Sequence, residues 1–580
     1  MMASQNTIRI LSLLPGDGSE EIRCTTHASE LGNEKFSALS YAWGCSVQGD
    51  KICVDNESVN VTTNLYEALN RLRHKARPRQ LWIDQLCIDQ GNTEEKARQV
   101  GQMRNIYSRC SECLLWLGDF PSSSGFTIHG AEMVLQFIRY CAESQGWKSP
   151  PGCLLDLSPT QLDGLRCAFE ALFRTEWWNR IWTVQEAVLP GKCVVVWGSL
   201  SMDWRFFING ARELCEGSHP RHLLGGIFSK LHGVKSLFTS QVRGLQFAGS
   251  QVDSPLDLIQ RWRHRKATDP RDKIYGLMGL FPVNPFPSIP LCDYSILVED
   301  LYQKITFDLL CIEGSLRPLV ELRPDAASSS IVLPSWTINF AATAPVDTRG
   351  WWWDPSQRYC WYDASCGMEL SIDRIDRGTL HGLRGVKVDT IYLVGNVLPS
   401  VRPDLTPLES LLQTVRSWKK IMQESQPSSI VYSGSCPRNH AFWRCLVGNV
   451  LRDEFPVGRP GKAAFAEIEQ FCNDGSRPGR LVLNSLCRLV TNQAFFTTYE
   501  GYFGIGQPDV REGDEVWVLY GSRMPFLLRP VRGSRQPSGN IRSAEIEACE
   551  RALVGSCYLD GIMEGQMVRG GQTETTVHLV

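Results

Sequence analysis

A chain of 580 residues exceeds what one hydrophobic core organises, so two or three domains are expected. Apolar content of 43% and charged content of 21% are those of ordinary globular protein, and a formal net charge of -2 excludes a broad surface for nucleic acid or acidic membrane. The 21 cysteines follow no spacing framework and read as reduced core residues; with no basic-then-apolar leader and no apolar run near the roughly 20 residues that span a bilayer, a cytoplasmic protein without a membrane span is expected.

Taken in order, Ile8–Leu14 reads as a short strand and Phe36–Tyr41 as the next, broken by Ala42-Trp43-Gly44 at a sheet edge. Lys51–Val61 alternates about Asp55-Asn56, which predicts a hairpin, and Thr63 or Asn64 then caps a helix to Arg73 with Leu65, Ala68, Leu69 and Leu72 on its buried face. Leu81-Trp82-Ile83-Asp84 is an apolar run ending in a carboxylate, as when a buried parallel strand delivers an acid to the carboxyl edge of its sheet. Asp89 and Gln90 follow in a loop, Asn92 or Thr93 caps a helix carrying Val100, Met103 and Tyr107, and Leu114–Leu117 is another buried strand. Strand, loop, helix and strand make a βαβ unit whose polar groups stand where such folds bind ligands.

Ala131–Ala142 and Leu162–Phe173 are predicted helices, Arg174–Val188 is a second dense motif, and Lys192–Trp197 is a β-branched strand that closes a first domain near residue 205. Helical periodicity dominates residues 206–345, and Leu333–Trp336 is expected to start a strand. Residues 346–580 mix elements: strands over Thr379–Val394, helices over Leu408–Met422 and Ala463–Cys472, and a strand-rich end in which Glu515–Tyr520 and Pro525–Val531 form a hairpin. The expected layout is an α/β domain over 1–205, a helical segment over 206–345, and a mixed α+β domain over 346–580.

Phosphate-binding loops, nucleophile elbows and dinucleotide fingerprints are absent from the sequence, so ATPase, elbow-hydrolase and dehydrogenase chemistry lack local support. Ten dispersed histidines and the lone Cys110-Ser111-Glu112-Cys113 give no metal-ligand spacing, and no metal is expected. Arg261–Lys266 is a basic hexamer that reads as a solvated helix face, with a localisation signal or phosphate contact as the alternatives.

Several motifs carry a family resemblance. Ala38-Leu39-Ser40-Tyr41-Ala42-Trp43-Gly44, Leu81–Gln90, Gln99-Val100 with Met103 and Ile106-Tyr107, Trp116-Leu117-Gly118, and Trp177–Glu186 together resemble the fungal heterokaryon-incompatibility (HET) domain. Asp269–Tyr275, Leu333–Trp336, Gly501–Gly504 and Gly513-Asp514 with Pro525–Arg529 resemble motifs usual in the longer proteins that carry it. Lys96 stands where an arginine is usual, and Gln493-Ala494 where basic residues are common.

The resemblance implies a parallel-sheet α/β domain like the Toll/interleukin-receptor (TIR) or flavodoxin-like folds. It also implies an effector of non-self recognition and cell death. Some TIR domains cleave NAD with a glutamate four residues after a tryptophan; Trp182 and Glu186 have that spacing, which sets both on one helical face. NAD is then a candidate substrate, with no bound cofactor required.

On this reading Glu186 and Asp84 are the candidate catalytic groups. A carboxylate at a pocket edge stabilises the ribosyl cation formed as nicotinamide leaves. Ser40, Tyr41, Trp43, Gly44, Asp89, Gln90, Arg180, Trp182 and Gln185 would bind the ligand. Structural alternatives stand beside these: Glu186 paired with Arg180 in an ion pair, Asp84 and Asp89 capping loop amides, and Tyr41 and Trp43 in the core. Trp351, Trp352, Trp353, Trp361 and Tyr362 can line an apolar pocket or cover a seam. A recruited cofactor-independent cyclase or isomerase and a non-catalytic module that binds a protein partner or itself are the competing functions.

Overall fold

The computed structural model describes residues 6–18, 20–44, 49–123, 125–143, 154, 157–216, 238, 241–246, 248, 254–290, 292–321, 331–342, 360–398, 407–425, 438–451, 458–531 and 549–580. These group into two compact units, one drawn from Met1–Leu301 with Phe340–Trp353, the other from Tyr302–Asn339 with Asp354–Val580.

The first unit is built on a nine-stranded sheet of order β5-β4-β2-β1-β6-β3-β7-β8-β9. Its strands are β1 Thr7–Leu13, β2 Arg23–Glu30, β3 Ser37–Tyr41, β4 Asp50–Val54, β5 Glu57–Val61, β6 Arg79–Trp82, β7 Glu112–Trp116, β8 Cys193–Trp197 and β9 Leu200–Asp203. The hairpin of β4 and β5 turns on Asp55 and Asn56 at φ 50 and 68, the left-handed pair that two-residue hairpins require. At the centre β6, β3, β7 and β8 run parallel, with Ser37 opposite both Leu81 and Glu112 and Cys113 opposite Cys193. All five residues of β3 are buried, as expected for a parallel strand covered on both faces. In chain order these four strands lie 2-1-3-4, so the order reverses between β3 and β7, and the carboxyl ends of these strands are the edge at which open α/β sheets bind ligands.

Helix α1, Thr63–Leu72, buries Leu65, Ala68, Leu69 and Leu72 as its period predicts, but Thr62 caps it by accepting from the Leu65 amide. Asn64 is taken up elsewhere, donating to the Ala42 carbonyl at 2.6 Å and accepting from the Trp116 indole at 2.7 Å. A short helix α2, Asp84–Cys87, follows β6, and the predicted single helix beyond it divides at Gln102 into α3, Thr93–Gly101, and α4, Met103–Arg109. Asn92 caps α3 through the Glu94 and Glu95 amides. Helices α5, Ile128–Glu143, and α6, Pro159–Phe173, precede a single 3-10 turn at Glu176–Asn179 and then α7, Thr183–Val188, which lies against β3 and β7. Helices α8, Trp204–Glu216, α9, Pro255–Trp262, and α10, Asp272–Met278, complete the unit.

The second unit pairs a helical core with a barrel. Strands β10 Ile375–Asp376, β11 Thr379–Val394, β12 Ala494–Thr498, β13 Phe503–Gly506, β14 Glu515–Leu519, β15 Phe526–Pro530, β16 Cys549–Ser556, β17 Tyr558–Leu559 and β18 Glu574–Leu579 form one sheet. The 16-residue β11 pairs with both β18 and β14, closing β14-β15-β16-β18-β11 into a ring, while its far end carries β12, β13 and β17. Residues 333–336, expected to start a strand, form a turn in which the Trp336 indole donates to the Gly378 carbonyl at 2.8 Å. Trp418, Phe442, Leu446, Ile468 and Leu486 make the helical core.

Candidate functional site

The carboxyl end of β3 collects residues from three distant segments. The Ser40 hydroxyl, fully buried, donates to Glu186 of α7 at 2.5 Å and accepts from the Trp177 indole at 2.8 Å. One residue on, the Tyr41 hydroxyl donates to the Gln85 side chain at 3.0 Å, and the Trp43 indole donates to Asp84 at 2.8 Å. Arg180 donates to the Tyr41 carbonyl, and its guanidinium lies 5.8 Å from the centre of the Trp43 ring. Segments around 84 and 186 therefore meet through one strand end, at the point where the strand order reverses.

Burial divides the site into a floor and a rim. Ser40, Tyr41, Trp177 and Glu186 are buried, whereas Trp43, Asp84, Gln85 and Arg180 are half-buried and Gly44, Asp89 and Gln90 exposed. Glu186 is 2% exposed, so it belongs to the floor and not to a pocket edge. Burial pushes its carboxyl up most, Arg180 draws it down, the neighbouring Asp84 charge raises it again, and bonds from Ser40 and Tyr107 lower it, leaving it at about 7. Asp84 is raised too, by burial against the pull of Arg180 and the Trp43 bond. Burial likewise holds the Tyr41 and Tyr107 phenols well above their ordinary value, so both remain neutral donors.

Arg180 and Glu186 make no ion-pair contact among the described residues: Arg180 bonds the Tyr41 carbonyl and acts on Glu186 only through its field. Capping accounts for part of the acidic loop: Asp84 accepts from the Gln85 amide at 2.8 Å, and Asp89 from the Gly91 amide at 3.0 Å. Gln90 donates to the Asp84 carbonyl at 3.0 Å. Nor do Trp182 and Glu186 share a partner, despite their spacing. Trp182 stands at the start of α7 and bonds Asp272, which also accepts from the Tyr294 hydroxyl at 2.6 Å. Gln185 points to α10, donating to the Tyr275 carbonyl at 3.1 Å.

Of the proposed aromatic pocket, Trp351, Trp352 and Trp353 lie outside the described residues. Tyr362 is in the helical core of the second unit, where its hydroxyl donates to the Gly448 carbonyl at 2.5 Å, and Trp361 packs beside it. The basic hexamer turns inward: Trp262, Arg263 and Arg265 are buried. Sequence reasoning missed Tyr107 and Trp177 as partners of the site, because an apolar helix face and a tryptophan pair read as packing. Among the described residues no group of three potential ligands can hold a metal ion, and no helix is long and apolar enough to cross a membrane.

Comparisons with known proteins agree with this organisation. The family model described as Heterokaryon incompatibility protein (HET) matches residues 36–186, the span from β3 to α7 that builds the site. The Het-6 beta-barrel domain model matches residues 478–579, which include β12 to β18. Among curated proteins, heterokaryon incompatibility protein 6, OR allele, of Neurospora crassa is 23% identical over 673 residues, covering 98% of this chain and 95% of the relative. No solved structure matches. The chain is therefore similar to the heterokaryon-incompatibility (HET) family over residues 36–186 and to the Het-6 beta-barrel domain over residues 478–579, with similarity to one heterokaryon incompatibility protein along nearly its whole length.

Proposed function

We propose that this protein is an intracellular effector of fungal non-self recognition and cell death, and that its HET domain binds and cleaves a nicotinamide dinucleotide at the carboxyl edge of β3. One observation carries the reading: Glu186 is buried, has no ion-pair partner among the described residues, and is bonded by Ser40 at the strand end where the order reverses. The 2-1-3-4 order of the parallel strands is that of flavodoxin-like sheets and supports the TIR-like analogy.

The half-buried rim supplies complementary chemistry: Asp84 and Gln85 for ribose hydroxyls, Trp43 for a ring, Arg180 for a phosphate. With Glu186 on the floor, the layer of Trp43, Asp84 and Arg180 has to open before a ribose reaches it. In the cleavage the C1′–N bond breaks, its electron pair stays on nicotinamide, and the ribosyl cation is stabilised by ionised Glu186. Water then adds at C1′ as its proton passes to the Glu186 carboxylate.

The test is NAD content in cells expressing the full chain, and NAD consumption by the purified protein. Parent protein depletes NAD, Glu186→Gln does so about 100-fold more slowly or not at all, and the exposed helix variant Asp163→Asn behaves as parent. Equal depletion by Glu186→Gln and parent removes Glu186 from the mechanism; no depletion by either removes the NAD reading.

A further inference from the structure

The matched HET segment ends at Glu186, yet the helix that carries this residue is held by chain that comes later. The Lys266 amide donates to the Asn179 carbonyl at 2.5 Å and the Ile181 amide to the Lys266 carbonyl at 3.0 Å, so residues 179–181 and 266 run side by side. Gly279 packs so closely on α7 that a Cβ there would fall 2.1 Å from the Gln185 side-chain oxygen. Between these contacts stands Arg265, whose guanidinium is 0% exposed.

Arg265 donates to the Thr183 hydroxyl at 2.6 Å and to the Arg180 carbonyl at 3.2 Å, the two groups that form the entry to α7. A longer bond of 3.4 Å reaches Gln241, the guanidinium lies 4.5 Å from the centre of the Trp262 ring, and Nε has no partner. No carboxylate pairs with it among the described residues. A buried cation without an acid is unfavourable unless some opposing charge lies within its field. Its neighbour Lys273 differs, because it caps the chain after α9 by donating to the Arg263 carbonyl at 2.9 Å and to that of Arg265. The opposing charge that acts on Arg265 is Glu186, three residues on from Thr183: burial pushes Arg265 down to about 9 and Glu186 acts against that shift, while the cation that acts most on Glu186 itself is Arg180.

We infer that Arg265, from beyond the matched segment, is a positioning residue of the Glu186 centre: it fixes the first turn of α7 through Thr183 and the Arg180 carbonyl, and its buried charge balances the Glu186 carboxylate. The inference rests on the reading of Glu186 as the reacting carboxylate, and assigns the working centre a boundary near residue 279 instead of 186. Other groups also face Glu186. Arg180 favours its ionised form, as do the Ser40 and Tyr107 hydroxyls, while Asp84 opposes it. Tyr41 and Cys113 stay neutral, burial raising the Tyr41 phenol and the Cys113 thiol.

The experiment measures thermal stability of the full chain across pH 4 to 9 for parent, Arg265→Gln and Arg265→Lys, each with and without Glu186→Gln. The parent shows a pH midpoint that Glu186→Gln abolishes. Arg265→Gln keeps donors for Thr183 and the carbonyl but lacks the charge, so its midpoint rises by about one unit; Arg265→Lys keeps the charge and stays within about 0.3 unit of parent. In the Glu186→Gln background neither substitution changes the pH profile. Equal midpoints for parent and Arg265→Gln overturn the inference, as does a shift that persists without Glu186. If Arg265→Gln does not fold, a folded Arg265→Lys with the parental midpoint supports it, and failure of both to fold assigns Arg265 to the core alone and overturns it. The readout does not involve NAD, so an inactive parent would defeat the functional reading while leaving the titration result standing.

Discussion

Two glutamates, one in each unit, are buried to similar degrees and treated oppositely. Glu515 at the start of β14 accepts from Lys387 at 2.7 Å, Arg551 at 2.8 Å and the Trp517 indole at 3.0 Å. Burial pushes its carboxyl up, but the bonds from Arg551, Lys387 and Trp517 outweigh burial and leave it below its ordinary value. Glu186 receives only hydroxyl bonds and distant cations, and burial wins. The barrel carboxyl is a fastener, since three donors, two of them cations, bond it and fix its charge. The one beside β3 is held in a condition where gaining or losing a proton costs little near neutrality, which suits chemistry more than stability.

Breaking the fastener should have the largest effect. Arg551→Met leaves Glu515 buried with one cation fewer and is expected to lower stability by about 3 kcal/mol or more in urea unfolding; a loss below about 1 kcal/mol would mean Lys387 alone sustains the site.

Glu186→Gln should act with the opposite sign. A carboxyl raised from 4.5 to about 7 stabilises the fold fully below pH 4.5 and loses that contribution as pH climbs through 7. At about 1.4 kcal/mol per unit, the variant is expected to be more stable than parent at pH 8 by on the order of 3 kcal/mol, and level with it at pH 4. Equal pH profiles would show that Glu186 titrates normally. For Glu515 the lowered value reverses the direction: its contribution is present above 4.5 and disappears as pH falls below that, so Arg551→Met should lower stability at neutral pH and thereby flatten the acid limb.

Smaller changes sharpen the contrast. Ser40→Ala removes a bond that draws Glu186 down, so the midpoint should rise by under about one unit. Trp177→Phe removes the indole donor to Ser40 and should cost about 1 kcal/mol with little change in midpoint; a large midpoint shift there would extend the network that sets Glu186 to the indole.

Much of the first unit was legible because its signals are local. Apolar runs at Leu39, Leu81 and Leu114, the turn pair Asp55-Asn56 and the cap at Asn92 each act within a few residues, and each forms the element expected. Legibility failed where a side chain's partner lies far along the chain. Asn64 looks like a cap but is claimed by Ala42 and Trp116, and the basic hexamer looks solvated although Trp262 and Arg265 face inward. The strand β2, polar and largely exposed on one face, carries too little apolar alternation to announce itself.

By itself the sequence determined the central strands of the first unit, their hydrophobic faces and the motifs that resemble the HET family, because periodicity and turn chemistry are properties of neighbouring residues. The tertiary structure alone decided that Ser40 bonds Glu186, that Trp182 turns away to Asp272, and that Arg265 lies beneath α7 with no carboxylate partner among the described residues. Those outcomes depend on which segments the sheet order brings together and how much water they exclude, and burial, more than residue type, sets what a carboxyl or guanidinium does.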